Sequence, residues 1–384
     1  MRKNSHLHDA SEGRRLALVT RSLTPYTRNF FDCVAEARSE DATLLIIGRR
    51  EQDWINPWDQ SLLLPRVADH NYASARSIGT QRPILLPSRS QLATLRRFRP
   101  DIVAIQEFSI YCAFAAFWAM ARHVPVVSMT DIGDDYGPPY PALRKSQKLL
   151  HRILLSKSKG VIALTPDAAR RAKQRDKPHI LAPHAIDTKE FCLGAKNAVP
   201  DAPIVLMTAG NFIYRKGHDL LLKALGMVNK RLAGKHPWIL KCHGSGETRD
   251  LRELAAKLNI GERVEFHSFL GEADLIRAYQ AADIFTLTSR RDTYGVVLHE
   301  ASACGLPLVG STLAGASELL IQEGVNGFRV DPNDTARVAD ALHEIIINRR
   351  LREEFSQNSR RIAEKWDVRE NAQRAAQWLN HLLG

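Results

Sequence analysis

Between positions 289 and 307 the chain reads SRRDTYGVVLHEASACGLP, and this segment holds the side chains best suited to chemistry. Asp292 and Glu300 stand eight positions apart with Gly295 between them. An apolar run at 284–287 precedes the segment, so the chain must turn there from a strand into a helix at about Gly295. Gly305 and Pro307 mark that helix's end. A glycine at a helix start lets backbone N–H groups approach a ligand, and the helix dipole there favours phosphate. Asp292 then falls at the mouth and Glu300 about one and a half turns inside, so both can flank one small site. A carboxylate that accepts two hydroxyl hydrogen bonds makes a good clamp for ribose or another sugar. As isolated acids, the two read more simply as a partner for the helix dipole and a solvated helix residue. The wider pattern decides between these readings.

The elements that must position these residues follow from length and patterning. At 384 residues the chain exceeds what one hydrophobic core serves, and 44% hydrophobic with 25% charged residues excludes a disordered polymer. Continuous Val, Ile and Leu runs lie at 16–19, 44–47, 102–105, 124–127 and 161–164, then at 204–207, 238–240, 264–266, 284–287 and 308–309. Runs without alternation suit strands covered on both faces, as in parallel sheets. Between them Leu221, Ala224, Leu225 and Val228 repeat at helical spacing, as do Val338, Leu342 and Ile345. The fold class is therefore α/β, with two doubly wound Rossmann-like domains expected to face a central cleft. The expected order is a tail at 1–14, a first domain at 15–192, a linker at 193–203, a second domain at 204–365, and a helix at 366–384 that packs back on the first domain.

Other features narrow the setting. Five scattered cysteines, without a CxxC pair, suggest a reducing compartment and neither a disulfide framework nor a zinc site. The polar N-terminus is not a signal peptide, and the longest apolar run, 110–121, is too short for a bilayer and reads as a buried helix. A soluble, cytoplasmic protein is the expectation. The net charge of +12 favours an acidic partner. Arg96, Arg97 and Arg99, and the set Arg170, Arg171, Lys173, Arg175 and Lys177, read first as solvated faces.

Further motifs surround the 289–307 segment. MTAGNFIYRKGHDLLLKAL at 207–225 places Gly210 after a strand, then the basic pair Arg215 and Lys216, then Gly217 opening a helix. LKCHGSGETRD follows, and LAGASELL precedes EGVNGFRVDPND. In this order, over most of residues 204–345, the chain resembles the C-terminal domain of the retaining glycosyltransferases of family 4, which have the GT-B fold. In the first half RPDIVAIQE, KGVIALTPDAARR and PHAIDTKEF are similar to landmarks of that family.

The resemblance implies a role for each matching residue. The ribose-binding acid falls on Glu300, and the acid near the donor sugar's hydroxyls on Asp292. The diphosphate amides fall on Tyr294, Gly295 and Val296, the diphosphate lysine on Lys216, and the glycine turn near the base on Gly244 and Gly246. Gly210, Asn211 and Arg215 complete the donor site. The chain departs from the family where Asp292 replaces a glutamate and Asn211 an arginine; Arg215, Arg290 and Arg291 are candidates to supply the missing cation. Thr130 or Asp131 stands where the family carries a histidine. Asp131, followed by Gly133, is expected at the acceptor side, so catalytic roles fall on Asp292, Lys216 and Asp131.

Departure of a nucleoside diphosphate needs fixed donors and cations rather than a strong nucleophile. No cofactor and no metal are expected, since there is no His/Cys cluster and the adjacent Asp134 and Asp135 read as a solvated loop. Glu107 could face an acceptor or cap a helix. His218 reads as a helix-start residue, and His184 as lining the cleft without chemistry. The expected partners are a nucleoside-diphosphate sugar of the UDP or GDP type and a carbohydrate or lipid-linked acceptor, in cell-surface polysaccharide or glycolipid assembly. Peripheral attachment to an anionic inner-membrane face follows from the basic first domain and from the resemblance. Two rivals remain: a nucleotide-sugar epimerase or hydrolase of the same fold, and a nucleic-acid-binding protein. The latter has little support, because only 7% of residues are aromatic and no aromatic-basic stripe is present.

Overall fold

Strands that read as unbroken apolar runs become the centres of two parallel sheets. The computed structural model describes residues 14–22, 24–38, 43–49, 67–69, 89–106, 109–131, 145–191 and 202–383. Glu107, Gly133, Asp134, Asp135 and residues 193–201 of the expected linker lie outside them. The chain forms two units, residues 1–185 with 368–384 and residues 186–367, so the division comes between Ala185 and Ile186, ahead of the 193–203 stretch.

The first unit contains, in chain order, β1 (Leu16–Ser22), α1 (Pro25–Arg38), β2 (Thr43–Arg49), β3 (Val67–Asp69), α2 (Arg89–Phe98), β4 (Ile102–Gln106), α3 (Ile110–Met120), β5 (Val126–Thr130), α4 (Lys145–Lys157), β6 (Gly160–Ala163), α5 (Pro166–Gln174) and β7 (His179–Leu181). Its sheet has the order β3-β2-β1-β4-β5-β6-β7 with parallel pairing, Leu16 standing beside Thr43 on one side and Ile102 on the other. Every residue of β4 is buried. Val103 and Ile105 share a core with Tyr111, Ala115 and Ala119 of α3, whereas Ile102 and Ala104 share one with Phe30, Phe31 and Val34 of α1. Alternate residues of one strand thus serve opposite helix layers. Burying each large side chain contributes roughly 1.5–3 kcal/mol before entropy is counted.

The second unit contains α6 (Thr188–Phe191), β8 (Ile204–Ala209), α7 (His218–Leu232), β9 (Trp238–His243), α8 (Arg249–Lys257), β10 (Val264–His267), α9 (Glu272–Ala281), β11 (Ile284–Leu287), α10 (Val297–Ala303), β12 (Leu308–Ser311), α11 (Ser317–Leu320), β13 (Gly327–Val330), α12 (Thr335–Ile347) and α13 (Arg349–Glu364). Its sheet order is β10-β9-β8-β11-β12-β13. The helical repeats on α7 and α12 bury Leu221, Leu225, Val228, Val338, Leu342 and Ile345 in one core. Phe285 and Leu287 of β11 share the opposite core with Tyr279 of α9 and Leu298 of α10. The carboxylate of Asp367 accepts from the Thr188 N–H at 3.0 Å and hydroxyl at 2.8 Å, tying the unit's first and last segments together. The chain then enters α14 (Val368–Leu383), whose Val368, Ala372, Ala375 and Leu379 join the core served by α1.

Three strands lack the apolar signature: β3, β7 and β13. Each lies at a sheet edge, where one side of the ladder has no neighbour among the described residues and a short strand suffices. One expectation needs correction. The 110–121 run forms α3, but Ile110, Phe114 and Phe117 face solvent while Tyr111, Cys112, Ala115, Ala116 and Ala119 are buried. An all-apolar helix carries no pattern that marks its uncovered side. No described helix is long and apolar enough to cross a membrane.

Candidate functional site

In the second sheet the chain runs outward from β8 to β9 and β10, then returns to β11 on the other side. At such a reversal the loops leaving the two central strands splay apart at their carboxyl ends, which opens a crevice for a ligand. Those loops are residues 210–217 after β8 and 288–296 after β11, the two segments that the sequence singles out.

Backbone contacts stitch the loops together. Gly217 has φ 68°, and a side chain there would lie 2.0 Å from the carbonyl oxygen of Thr288, so only glycine permits this closure. The Thr288 hydroxyl donates to the Gly217 carbonyl at 3.0 Å, and the Arg290 N–H donates to the Arg215 carbonyl at 2.9 Å. The Arg290 guanidinium forks onto Asp219 at 2.6 and 2.7 Å, donates to the Tyr214 carbonyl, and lies 3.9 Å from the centre of the Tyr214 ring. Arg290 thereby positions the 3₁₀ turn Tyr214–Lys216.

Lys216 is what this turn presents. Its Nζ donates to Asp292 Oδ2 at 2.6 Å, and the two side chains are only 14% and 10% exposed. Arg215 Nη1 donates to the Arg291 carbonyl at 2.9 Å and lies 3.8 Å from the same Asp292 oxygen. Asp292 is fixed by its backbone, whose N–H donates to Leu313 at 3.0 Å and whose carbonyl accepts from Gly315 at 3.2 Å. The stem of Lys216 crosses Gly210, where a side-chain carbon would sit 3.2 Å from its Cε. Gly244 in turn presses on Gly210, since a Cβ there would be 2.1 Å from the Gly210 carbonyl oxygen. Gly246, at φ 128°, lies over Phe212.

Gly295 has φ 88°, and the first tight bonds of the helix run from Leu298 N–H to Gly295 O at 3.0 Å and from His299 N–H to Val296 O at 2.8 Å. The regular helix α10 begins only at Val297, so Glu300 lies in its first turn rather than one and a half turns inside. Among the described residues, no protein acceptor takes the N–H of Gly295 or Val296. Two donors beside a lysine form a place for an anion.

Glu300 Oε2 accepts from the Tyr279 hydroxyl at 2.7 Å. Burial pushes the Glu300 carboxyl up from 4.5 to about 7; the bond from Tyr279 and the nearby Lys216 charge oppose this, and Glu272 adds to it. Tyr279 is wholly buried, and desolvation together with the adjacent acid holds its hydroxyl protonated far above its usual range. Tyr279 can only donate here, which fixes the Glu300 carboxyl and leaves its second oxygen for a ligand.

Two histidines of the described residues are held by their surroundings. His218 opens α7 buried against Phe212 at 5.3 Å, its Nε2–H donating to the Asn211 carbonyl at 3.3 Å, and burial lowers its pKa. Asn211 itself is exposed. His184, in the first unit, stacks edgewise on Tyr26 at 4.9 Å, and burial lowers it to about 4.

The structure thus brings Gly210, Arg215, Lys216, Gly244, Asp292, Tyr294, Gly295, Val296 and Glu300 onto neighbouring loops and one helix start of the second unit. Asp131 belongs to the first unit, directly after β5, where its carbonyl accepts from the Thr165 hydroxyl at 3.1 Å. Sequence reasoning missed Tyr279 and Asp219. Tyr279 precedes Glu300 by 21 positions on another helix, so no spacing rule connects them.

Comparisons with known proteins agree with this architecture. The family described as Glycosyl transferases group 1 matches residues 193–362, and that described as Glycosyl transferase 4-like domain matches residues 23–182. A D-inositol 3-phosphate glycosyltransferase of Saccharomonospora viridis is 30% identical over 197 residues, 48% of this chain and 46% of that protein. The lipopolysaccharide core biosynthesis glycosyltransferase LpsE of Rhizobium meliloti is 37% identical over 154 residues, 40% of this chain and 42% of that protein. These matches span under half the length of either relative. Among solved structures, Anabaena Alr3699/HepE in complex with UDP superposes with a TM-score of 0.72 at 19% identity, covering 96% of this chain and 100% of that one. Sucrose-phosphate synthase of Thermosynechococcus elongatus superposes at 0.74 with 18% identity, over 96% and 99%. With the two profiles covering both halves, and with two doubly wound sheets built as in these structures, the chain belongs to the group 1, family 4-like glycosyltransferases of GT-B fold.

Proposed function

We propose that the chain transfers a glycosyl group from a nucleoside-diphosphate sugar to a carbohydrate or lipid-linked acceptor, retaining anomeric configuration and using no metal. The observation that carries this reading is the convergence of Lys216, the free N–H groups of Gly295 and Val296, and the carboxyls of Asp292 and Glu300. In it, ribose hydroxyls donate to Glu300, the diphosphate takes Lys216 and the two N–H groups, and Asp292 meets hydroxyls of the sugar. The bond from C1 to the diphosphate oxygen breaks as the acceptor oxygen bonds to C1 on the same face. The acceptor's proton passes to the leaving diphosphate, whose growing charge Lys216 stabilises. Asp131 is assigned to the acceptor side. The uridine diphosphate in the Anabaena HepE structure makes a UDP-sugar the first donor to test, and the LpsE name supports a setting in cell-surface glycan assembly.

A panel of nucleotide sugars scored by thermal shift identifies the donor, and product analysis with and without acceptor identifies the reaction. Transfer is expected only with acceptor and is expected to persist in chelator. An epimer or free sugar formed from donor alone would favour the epimerase or hydrolase reading. Glu300→Ala is expected to abolish donor binding; wild-type affinity in that variant would refute the assignment.

A further inference from the structure

The place for an anion in the second unit already has one of the chain's own beside it. Asp292 Oδ2 accepts from Lys216 Nζ at 2.6 Å and lies 3.8 Å from Arg215 Nη1, so one carboxylate faces both cations of the turn. The same carboxyl lies against the amide cradle, since a Cβ on Gly295 would stand 3.8 Å from Asp292 Cγ. Both members of the Lys216–Asp292 pair are largely shielded from water, where charges act on one another more strongly than at an exposed surface.

The two partners differ in freedom. Asp292 has a short side chain, and its backbone is tied on both sides, its N–H to Leu313 and its carbonyl to Gly315. Lys216 reaches across Gly210 on a flexible four-carbon stem. An entering diphosphate therefore draws the ammonium toward itself while the carboxylate stays behind. A fixed negative charge then stands beside a bound one, and like charges at close range repel.

We propose that Asp292 is a built-in competitor of the diphosphate: it holds Lys216 between turnovers and reclaims it as the nucleoside diphosphate leaves. This rests on the reading of the site as one for a nucleoside-diphosphate sugar. Breaking the bond to the sugar leaves more negative charge on the diphosphate, so the repulsion from Asp292 acts more on the product than on the donor. The carboxylate weakens product binding and thereby speeds release.

Calorimetric titration of the full chain with UDP and with GDP, each against its nucleoside, tests this at about 0.05 M salt, where screening is weak. Product affinity is measured rather than turnover, because the same carboxyl meets sugar hydroxyls in the proposed reaction. Asp292→Asn is expected to bind the diphosphate at least about fivefold tighter than wild type, with nucleoside affinity unchanged. A variant that merely loosened the site would move affinity the other way. Asp292→Glu keeps the charge and is expected to stay within about twofold of wild type. In a crystal of the wild type with the diphosphate, which needs no variant to fold, the Lys216–Asp292 contact is expected to open beyond about 3.5 Å. Equal or weaker diphosphate binding by a folded Asp292→Asn would overturn the proposal and leave the functional reading in place. So would equal tightening by Asp292→Glu, or an unbroken contact in the complex. Wild-type protein that binds neither diphosphate would overturn the functional reading, and the proposal with it.

Discussion

Replacing Glu300 by Gln is expected to stabilise the ligand-free protein at pH 8 while weakening its hold on a nucleotide. The folded chain raises the Glu300 pKa from 4.5 to about 7, chiefly by burial. A group with a raised folded pKa contributes its stability below pH 4.5 and loses it as pH rises through about 7. Above that, the folded chain must hold a carboxylate in a place that disfavours it, at about 1.4 kcal/mol per pKa unit. After a discount for the water that reaches this half-buried side chain, about 2 kcal/mol remains. Glutamine avoids that penalty and can still accept from Tyr279. In thermal unfolding the variant is expected to melt roughly 5 °C above wild type at pH 8 and level with it below pH 4.5. Nucleotide affinity should run the other way. If ribose hydroxyls require the carboxylate, wild-type affinity falls by about tenfold from pH 8 to pH 6, because about one site in ten remains ionised at the lower pH. Calorimetric titration with UDP separates this from the ionisation of the phosphates, which Glu300→Gln retains. A variant that melts at or below wild type at pH 8, or whose affinity follows the same pH curve, would refute the reasoning.

Tyr279→Phe removes the donor that opposes the rise in the Glu300 pKa, so the midpoint of the pH curve for nucleotide binding is expected to move to higher pH. Affinity at pH 7 should drop about fivefold to tenfold with turnover little changed; an unmoved midpoint counts against the coupling. Lys216→Ala should lower turnover by about a hundredfold or more, in steady-state assays on protein whose folding circular dichroism has verified. Gly217→Ala should destabilise the second unit by at least about 2 kcal/mol in denaturant unfolding, since its methyl group cannot coexist with the Thr288 carbonyl.

The central strands were legible because burial on both faces leaves no polar alternation, as β4 and β11 show. Edge strands such as β7, with every residue only half-buried, offer no such signal. The segments carrying Lys216, Asp292 and Glu300 were legible because glycines at forced backbone positions punctuate them, Gly217 and Gly295 above all. What spacing could not reveal were contacts made across the fold. Sequence position sets Arg290 beside the site, and only the fold brings Asp219, 71 positions earlier, onto its guanidinium. Tyr279 is likewise an ordinary aromatic of an amphipathic helix until the fold sets its hydroxyl on Glu300.

The most direct measurement is a crystal structure of the protein with a UDP-sugar. The expected result has diphosphate oxygens within hydrogen-bonding distance of Lys216 Nζ and of the Gly295 and Val296 N–H groups, and ribose hydroxyls on Glu300. A nucleotide ordered elsewhere, or none at saturating concentration, would contradict the account.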